Sequence, residues 1–143
     1  MTNSNLGGFA DDAPGNLRFS SVASVGGGNV DLLLTNLTEY RPFNSGKNSI
    51  VGKLGQINLQ VPFPNEAEPS AIIKFAFVHS GTDTPVVVPR LRLSFFDLDE
   101  GPEGNQRECV GVRGHSSYEH STSSQVVETV DPDDGFSIMC SSI

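Results

Sequence analysis

Leu91-Arg92-Leu93-Ser94-Phe95-Phe96-Asp97-Leu98-Asp99-Glu100-Gly101 alternates apolar and polar residues as far as Phe95, then breaks into three closely spaced carboxylates and a glycine. Alternation of this period with aromatic content is the mark of a half-buried strand, and the acids and glycine that end it are turn formers. The same pattern recurs on both sides, at 17–23, 30–37, 56–61, 71–78, 108–112, 125–130 and 136–141, while helical spacing does not recur. Eight short strands predict an all-β fold, an antiparallel two-sheet β-sandwich of jelly-roll type. Leu32, Leu34, Ile57, Leu59, Phe75, Phe77, Leu93 and Phe95 are its expected core, because each pair lies two residues apart on one sheet face. Pro89 cannot donate to a ladder and marks an edge, a bulge or a break within 86–96. The connection 39–55 is long for a hairpin and is expected to cross between sheets.

Length fits one core: 143 residues bury roughly two thirds of the surface that the unfolded chain exposes. Residues 1–16 are polar and glycine-rich and read as a flexible N-terminal arm, leaving 17–143 as a single β-sandwich domain. The start lacks the basic and apolar regions of a signal peptide, and 137–143 reads as a strand cut short, so a fragment of a longer protein is expected. No apolar run approaches the roughly 20 residues that span a bilayer, so membrane insertion is not expected.

Charge narrows the partners. Seventeen acidic residues face nine basic ones, a net charge of -8 that repels phosphate backbones and argues against nucleic acid. The two cysteines, Cys109 and Cys140, lie in alternating segments; paired, they would close a loop worth roughly 3–4 kcal/mol and place the chain outside the cytosol. Two buried free thiols are the competing reading. Asn36-Leu37-Thr38 adds a glycosylation sequon.

A simple meander of the last four strands would bring Asp97, Asp99 and Glu100 to the same end as Asp131, Asp133 and Asp134. Calcium takes six to eight oxygens, so two acidic loops at one end form a candidate calcium site. Solvated turns are the alternative, since the same residues make turns without metal. The loop is no EF-hand, because Gly101 and Pro102 stand where an oxygen ligand and the required glycine belong. His79, His115 and His120 fall in other loops without diagnostic zinc spacing. No Gly-x-Ser-x-Gly elbow appears, and Asp97 and Asp99 do not by themselves flank a common bond, so no catalytic residue is assigned and the chain is expected not to be an enzyme.

Thr35-Asn36-Leu37-Thr38-Glu39-Tyr40, Gly55-Gln56-Ile57-Asn58-Leu59, Phe75-Ala76-Phe77-Val78, Ser94-Phe95-Phe96-Asp97-Leu98-Asp99 and Glu108-Cys109-Val110 resemble segments of secreted β-sandwich modules in large microbial and algal surface proteins. The resemblance covers roughly residues 17 to 113, rests mainly on the strand ending Phe-x-Asp-x-Asp, and implies fold and location without a ligand. The expected function is a non-catalytic extracellular or cell-surface binding or adhesion module, with calcium-assisted carbohydrate recognition as one form and a structural spacer domain as the runner-up. The partner is a glycan or a surface protein. Without tryptophan, and with phenylalanines such as Phe75 and Phe77 following the core alternation, an aromatic sugar platform is disfavoured.

Overall fold

Most alternating segments become antiparallel strands in the computed structural model, which describes residues 1–52, 54–60, 69–98, 100, 107–130 and 133–142. The fold is all-β. Its contacts separate two compact units, Met1–Arg90 and Leu91–Ile143, and each is described by itself.

In the first unit β1 (Asn3–Ser4), β2 (Leu17–Val25), β3 (Gly28–Asn36) and β6 (Ile73–His79) form a sheet in the order β1-β2-β3-β6, while β4 (Ser49–Val51) and β5 (Leu54–Gln56) form a separate hairpin. Gly26 and Gly27 close β2 onto β3 with φ of 59° and 83°, the left-handed pair that a two-residue hairpin of matching twist requires. Register then stacks Leu17, Leu34 and Phe75 in one row and Phe19, Leu32 and Phe77 in the next, all on one face. Onto that face pack Leu6 and Tyr40, which with Leu17 and Leu34 make the core, and Phe19, Leu32, Ile57, Ala71, Ile73 and Phe75 flank it. The hairpin follows the same face, since a Cβ on Gly55 would lie 3.1 Å from the Phe19 ring. Packing is thus sandwich-like. The segment 1–16, expected as an arm, here carries β1 and the buried Leu6.

Three expectations are corrected. The strand at 86–96 does not form: pairing with β6 stops at the Val78–Pro85 bridge and the Val86 N–H donated to the Phe77 carbonyl, and Val87 is then 86% exposed. Pro89, with no N–H to offer, follows at once. Leu93 and Phe95 are therefore exposed instead of core, and Leu59, beyond the end of β5, is exposed too, whereas Leu34 is buried and Leu32, Ile57, Phe75 and Phe77 are half-buried. Pairing near 56–61 is also shifted, because β5 ends at Gln56 and residues 57–60 leave the sheet.

The third correction concerns the second unit, where β7 (Cys109–Val112), β8 (Val126–Val130) and β9 (Ser137–Ser141) lie in the order β7-β9-β8. The last strand enters the middle, so no meander forms. Ser137-Ile138-Met139-Cys140-Ser141 carries no charge and is flanked by the uncharged Phe136 and Ser142, while β8 contains Glu128 and β7, itself uncharged, is flanked by Glu108 and Arg113. Charge within or beside a strand suits the edges, where it discourages pairing with other chains. Cys109 stands directly opposite Cys140, and the neighbouring Ser141 N–H donates to the Glu108 carbonyl at 3.0 Å. That makes the cysteines a non-hydrogen-bonded cross-strand pair, the closer of the two kinds. They are joined in the expected disulfide, Cα atoms 4.0 Å apart.

Candidate functional site

The changed strand order separates the acidic turns. Glu100 bridges Arg107, their charged groups 3.8 Å apart, beyond the Cys109 end of β7. Asp133 and Asp134 lie in the connection of β8 to β9, at the end where Val112 and Val130 both face Ser137. Five residues of extended chain from Arg107 to Val112 span about 16 Å, far more than two ligands of one calcium ion can bridge. Glu100 and the pair Asp133–Asp134 therefore do not share an ion, and the common direction expected for the two turns is corrected. Asp97 is exposed at φ 64°, a left-handed turn conformation that aspartate tolerates. Asp99 and Asp131 lie outside the described residues.

Among the described residues no three His, Cys, Asp or Glu side chains gather as a metal cluster. His115 packs edge-on against Tyr118 with ring centroids 5.8 Å apart, and the Tyr118 hydroxyl donates to Glu128; hydrogen bonding to that carboxylate raises the phenol's pKa. Among the described residues no helix is long and apolar enough to cross a membrane.

The first unit offers a better-formed feature, a cleft of about 650 Å³ whose floor is Tyr40 and whose sides carry Phe9 and Phe43. Tyr40 is 3% exposed while the two phenylalanines are 57% and 67% exposed. Under the floor the Tyr40 hydroxyl donates to the Asn58 carbonyl at 2.6 Å, with Asn48 Oδ1 2.9 Å away, and Asn48 Oδ1 accepts from the Asn58 side chain at 2.9 Å. Burial pushes the Tyr40 phenol pKa up, so it stays a protonated donor. The loop above is laced to the same group: the Asn44 N–H donates to Asn58 Oδ1 at 2.9 Å and the Gln60 N–H to the Arg41 carbonyl at 2.8 Å. Phe9 owes its place to Gly7, whose φ of 89° and missing Cβ let the ring lie against the backbone; a Cβ there would stand 2.5 Å from it. The Gly7 N–H donates to Asn36 Oδ1 at 3.2 Å, tying this corner to the end of β3.

Sequence reading missed this cleft because Phe9 falls in the expected arm and Phe43 in the crossing connection, where alternation assigns nothing. Asparagines at 44, 48 and 58 around Tyr40 were the available signal.

A second polar node, unforeseen as well, is Asp31. It is 2% exposed, and its carboxylate accepts from Arg18 Nη1 at 3.0 Å, the Ser21 N–H at 2.9 Å, the Gly81 N–H at 3.2 Å and the Ser80 hydroxyl. The Ser80 hydroxyl and then the Ser21 amide hold its pKa well below the usual carboxylate range. Arg18 also reaches the exposed Asp83. The donors are the Ser21 and Gly81 backbone amides, the Ser80 hydroxyl and one arginine, and they hold turns in place, so the node is architectural.

No family model, curated protein or solved structure matches the chain, and its functional reading rests on the residues of these two units.

Proposed function

We propose that the chain is a non-catalytic binding or adhesion module of an extracellular or cell-surface protein. The observation that carries this reading is the Cys109–Cys140 disulfide, which joins two short strands in a unit where no apolar side chain of the described residues is buried. Such a bond persists in oxidising compartments and is lost where thiols are kept reduced. Binding is supported by the Tyr40 cleft, which leaves aromatic surface exposed over a rigid polar floor. Calcium belongs to the reading as a cofactor of the acidic turns taken separately, at Asp97, Asp99 and Glu100 or at Asp131, Asp133 and Asp134.

The test is retention of the immobilised, oxidised chain on arrays of glycans and of surface proteins, each run with calcium and with chelator. Retention on either class supports a binding module, and loss with chelator assigns calcium a part in it. Retention on neither class rejects the module and leaves a spacer domain.

A further inference from the structure

We infer that the Tyr40 cleft is a calcium-independent site for a neutral saccharide. The inference rests on the binding-module reading and names the ligand class of this cleft. Ligand clefts are typically about 300–1,000 Å³, with apolar walls and a few fixed polar groups, and this one lies within that range at about 650 Å³.

Its chemistry has two sides. Phe9 and Phe43 present exposed ring surface to the cleft, a partner for something with an apolar face. Around them stand Glu39, Ser45 and Gln60, of which Ser45 and Gln60 make no side-chain hydrogen bond among the described residues. A hydroxyl and an amide each donate and accept, and a carboxylate offers several acceptor positions. A ligand that satisfies them must itself donate and accept along an edge while showing carbon to the rings. A pyranose has that construction, with axial C–H bonds on its faces and hydroxyls around its rim.

Charge selects among sugars. Glu39 is paired to Arg41 through contacts of 2.9 and 3.3 Å, so the charged residues on the rim cancel. The surrounding unit is close to balanced, with seven acidic and six basic residues in 1–90. The rim itself therefore offers no net charge to draw an anion or a cation, and a neutral sugar loses nothing by that. The buried Tyr40, Asn48 and Asn58 contacts already order the loop, so little conformational freedom remains to be lost on binding.

Calcium is given no part in this site, because its lining holds a single carboxylate, Glu39, already paired to Arg41, far short of the oxygen set that calcium takes. The experiment uses the full oxidised chain on an array of neutral glycans and their uronic-acid counterparts, in calcium and in chelator, with Phe43→Ala, Phe9→Ala and Val87→Ala as variants. Expected is binding to neutral glycans that survives chelator, falls at least tenfold in either phenylalanine variant and is unchanged in Val87→Ala, an exposed side chain outside the cleft lining. The exposed rings are outside the core, so amide spectra should show both variants folded. In the wild type, amide shifts on adding the best neutral glycan should centre on Gly7, Asn44 and Gln60.

Retention only of surface proteins, preference for acidic glycans, or loss of binding in chelator would each overturn the cleft site while leaving a binding module standing. Neutral-glycan binding unaffected by both phenylalanine variants would overturn it too. Retention of nothing would overturn both readings.

Discussion

Asp31 fixes two irregular pieces of backbone at once. Between Phe19 and Ala23 strand β2 bulges, three residues facing Asp31 alone, and Ser21 sits there at φ 54° with its N–H on the Asp31 carboxylate. On the other side the same carboxylate holds Ser80 and Gly81, where the chain turns after β6. Removing it in Asp31→Ala strands a half-buried arginine and several turn donors, so destabilisation of roughly 3 kcal/mol is expected in urea melts. A shortfall to within error would mean that water replaces the carboxylate. The pH dependence has a definite sign. Because the folded-state pKa is depressed, the stabilisation is complete above the unfolded aspartate value near 4 and drains away as pH falls below it. Urea midpoints measured from pH 7 to pH 3 should therefore fall more steeply in the wild type than in Asp31→Asn, which has no proton to take up there. Gly7 makes a second residue-scale case: Gly7→Ala places a methyl group inside the Phe9 ring position at a positive φ, costing about 1–3 kcal/mol if the backbone holds. The Phe9 ring should swing away, seen as altered ring-proton shifts. Asp31 was legible in principle, since an aspartate inside Val30-Asp31-Leu32-Leu33-Leu34 is either exposed or firmly paired, but sequence alone does not name donors as distant as Ser80.

The elements that were legible are those whose alternation and turn chemistry agree. Strand β3 carries Val30, Leu32 and Leu34 at alternate positions, β2 carries Leu17 and Phe19 and, past its bulge, Ala23 and Val25, and Gly26-Gly27 joins them, so their pairing follows. Where turn and pattern conflict, pattern misleads: 86–96 alternates well, yet Pro89 cuts it from β6 and Leu91, Leu93 and Phe95 are exposed. Strand order is a non-local property, and three short antiparallel strands satisfy short-connection rules in more than one order. The meander ignored the charge within β8 and on both flanks of β7, which suits those two strands to the edges. The cysteines were better guides, since β9 must lie beside β7 for Cys109 and Cys140 to bond. That bond should dominate the stability of β7-β9-β8. A loop of 31 residues corresponds to about 3–4 kcal/mol in the chain-entropy model, in a unit with no buried apolar side chain among its described residues. Reduction, or Cys109→Ser with Cys140→Ser, should therefore abolish hydrogen-exchange protection across 109–112, 126–130 and 137–141 and leave β2, β3 and β6 protected. Protection persisting in the reduced second unit would show that strand pairing suffices.

Across the whole chain the charge is unevenly shared. Residues 91–143 contain ten acidic side chains and three arginines, so nearly all of the net charge of -8 falls in the unit with the thinner core. Like charges on a compact unit oppose its folding, and screening relieves them. Raising monovalent salt from 0.01 to 0.15 M shortens the screening length from about 30 to about 8 Å. Added sodium chloride should thus raise the melting of β7-β9-β8, followed through hydrogen exchange or the Tyr118 signal, by several degrees while moving the first unit little. Calcium is then separable from screening by comparing millimolar calcium chloride with sodium chloride of equal ionic strength. A bound ion adds stability in proportion to the logarithm of its concentration over its dissociation constant, because it favours the folded unit alone. If an acidic turn is a calcium site, calcium exceeds the matched salt, and Asn at both Asp97 and Asp99 or at both Asp133 and Asp134 removes the excess, telling the two turns apart. If calcium does no more than matched sodium chloride in the wild type, the carboxylates act only through their summed field, and the calcium part of the binding reading is rejected while the Tyr40 cleft is untouched by the result.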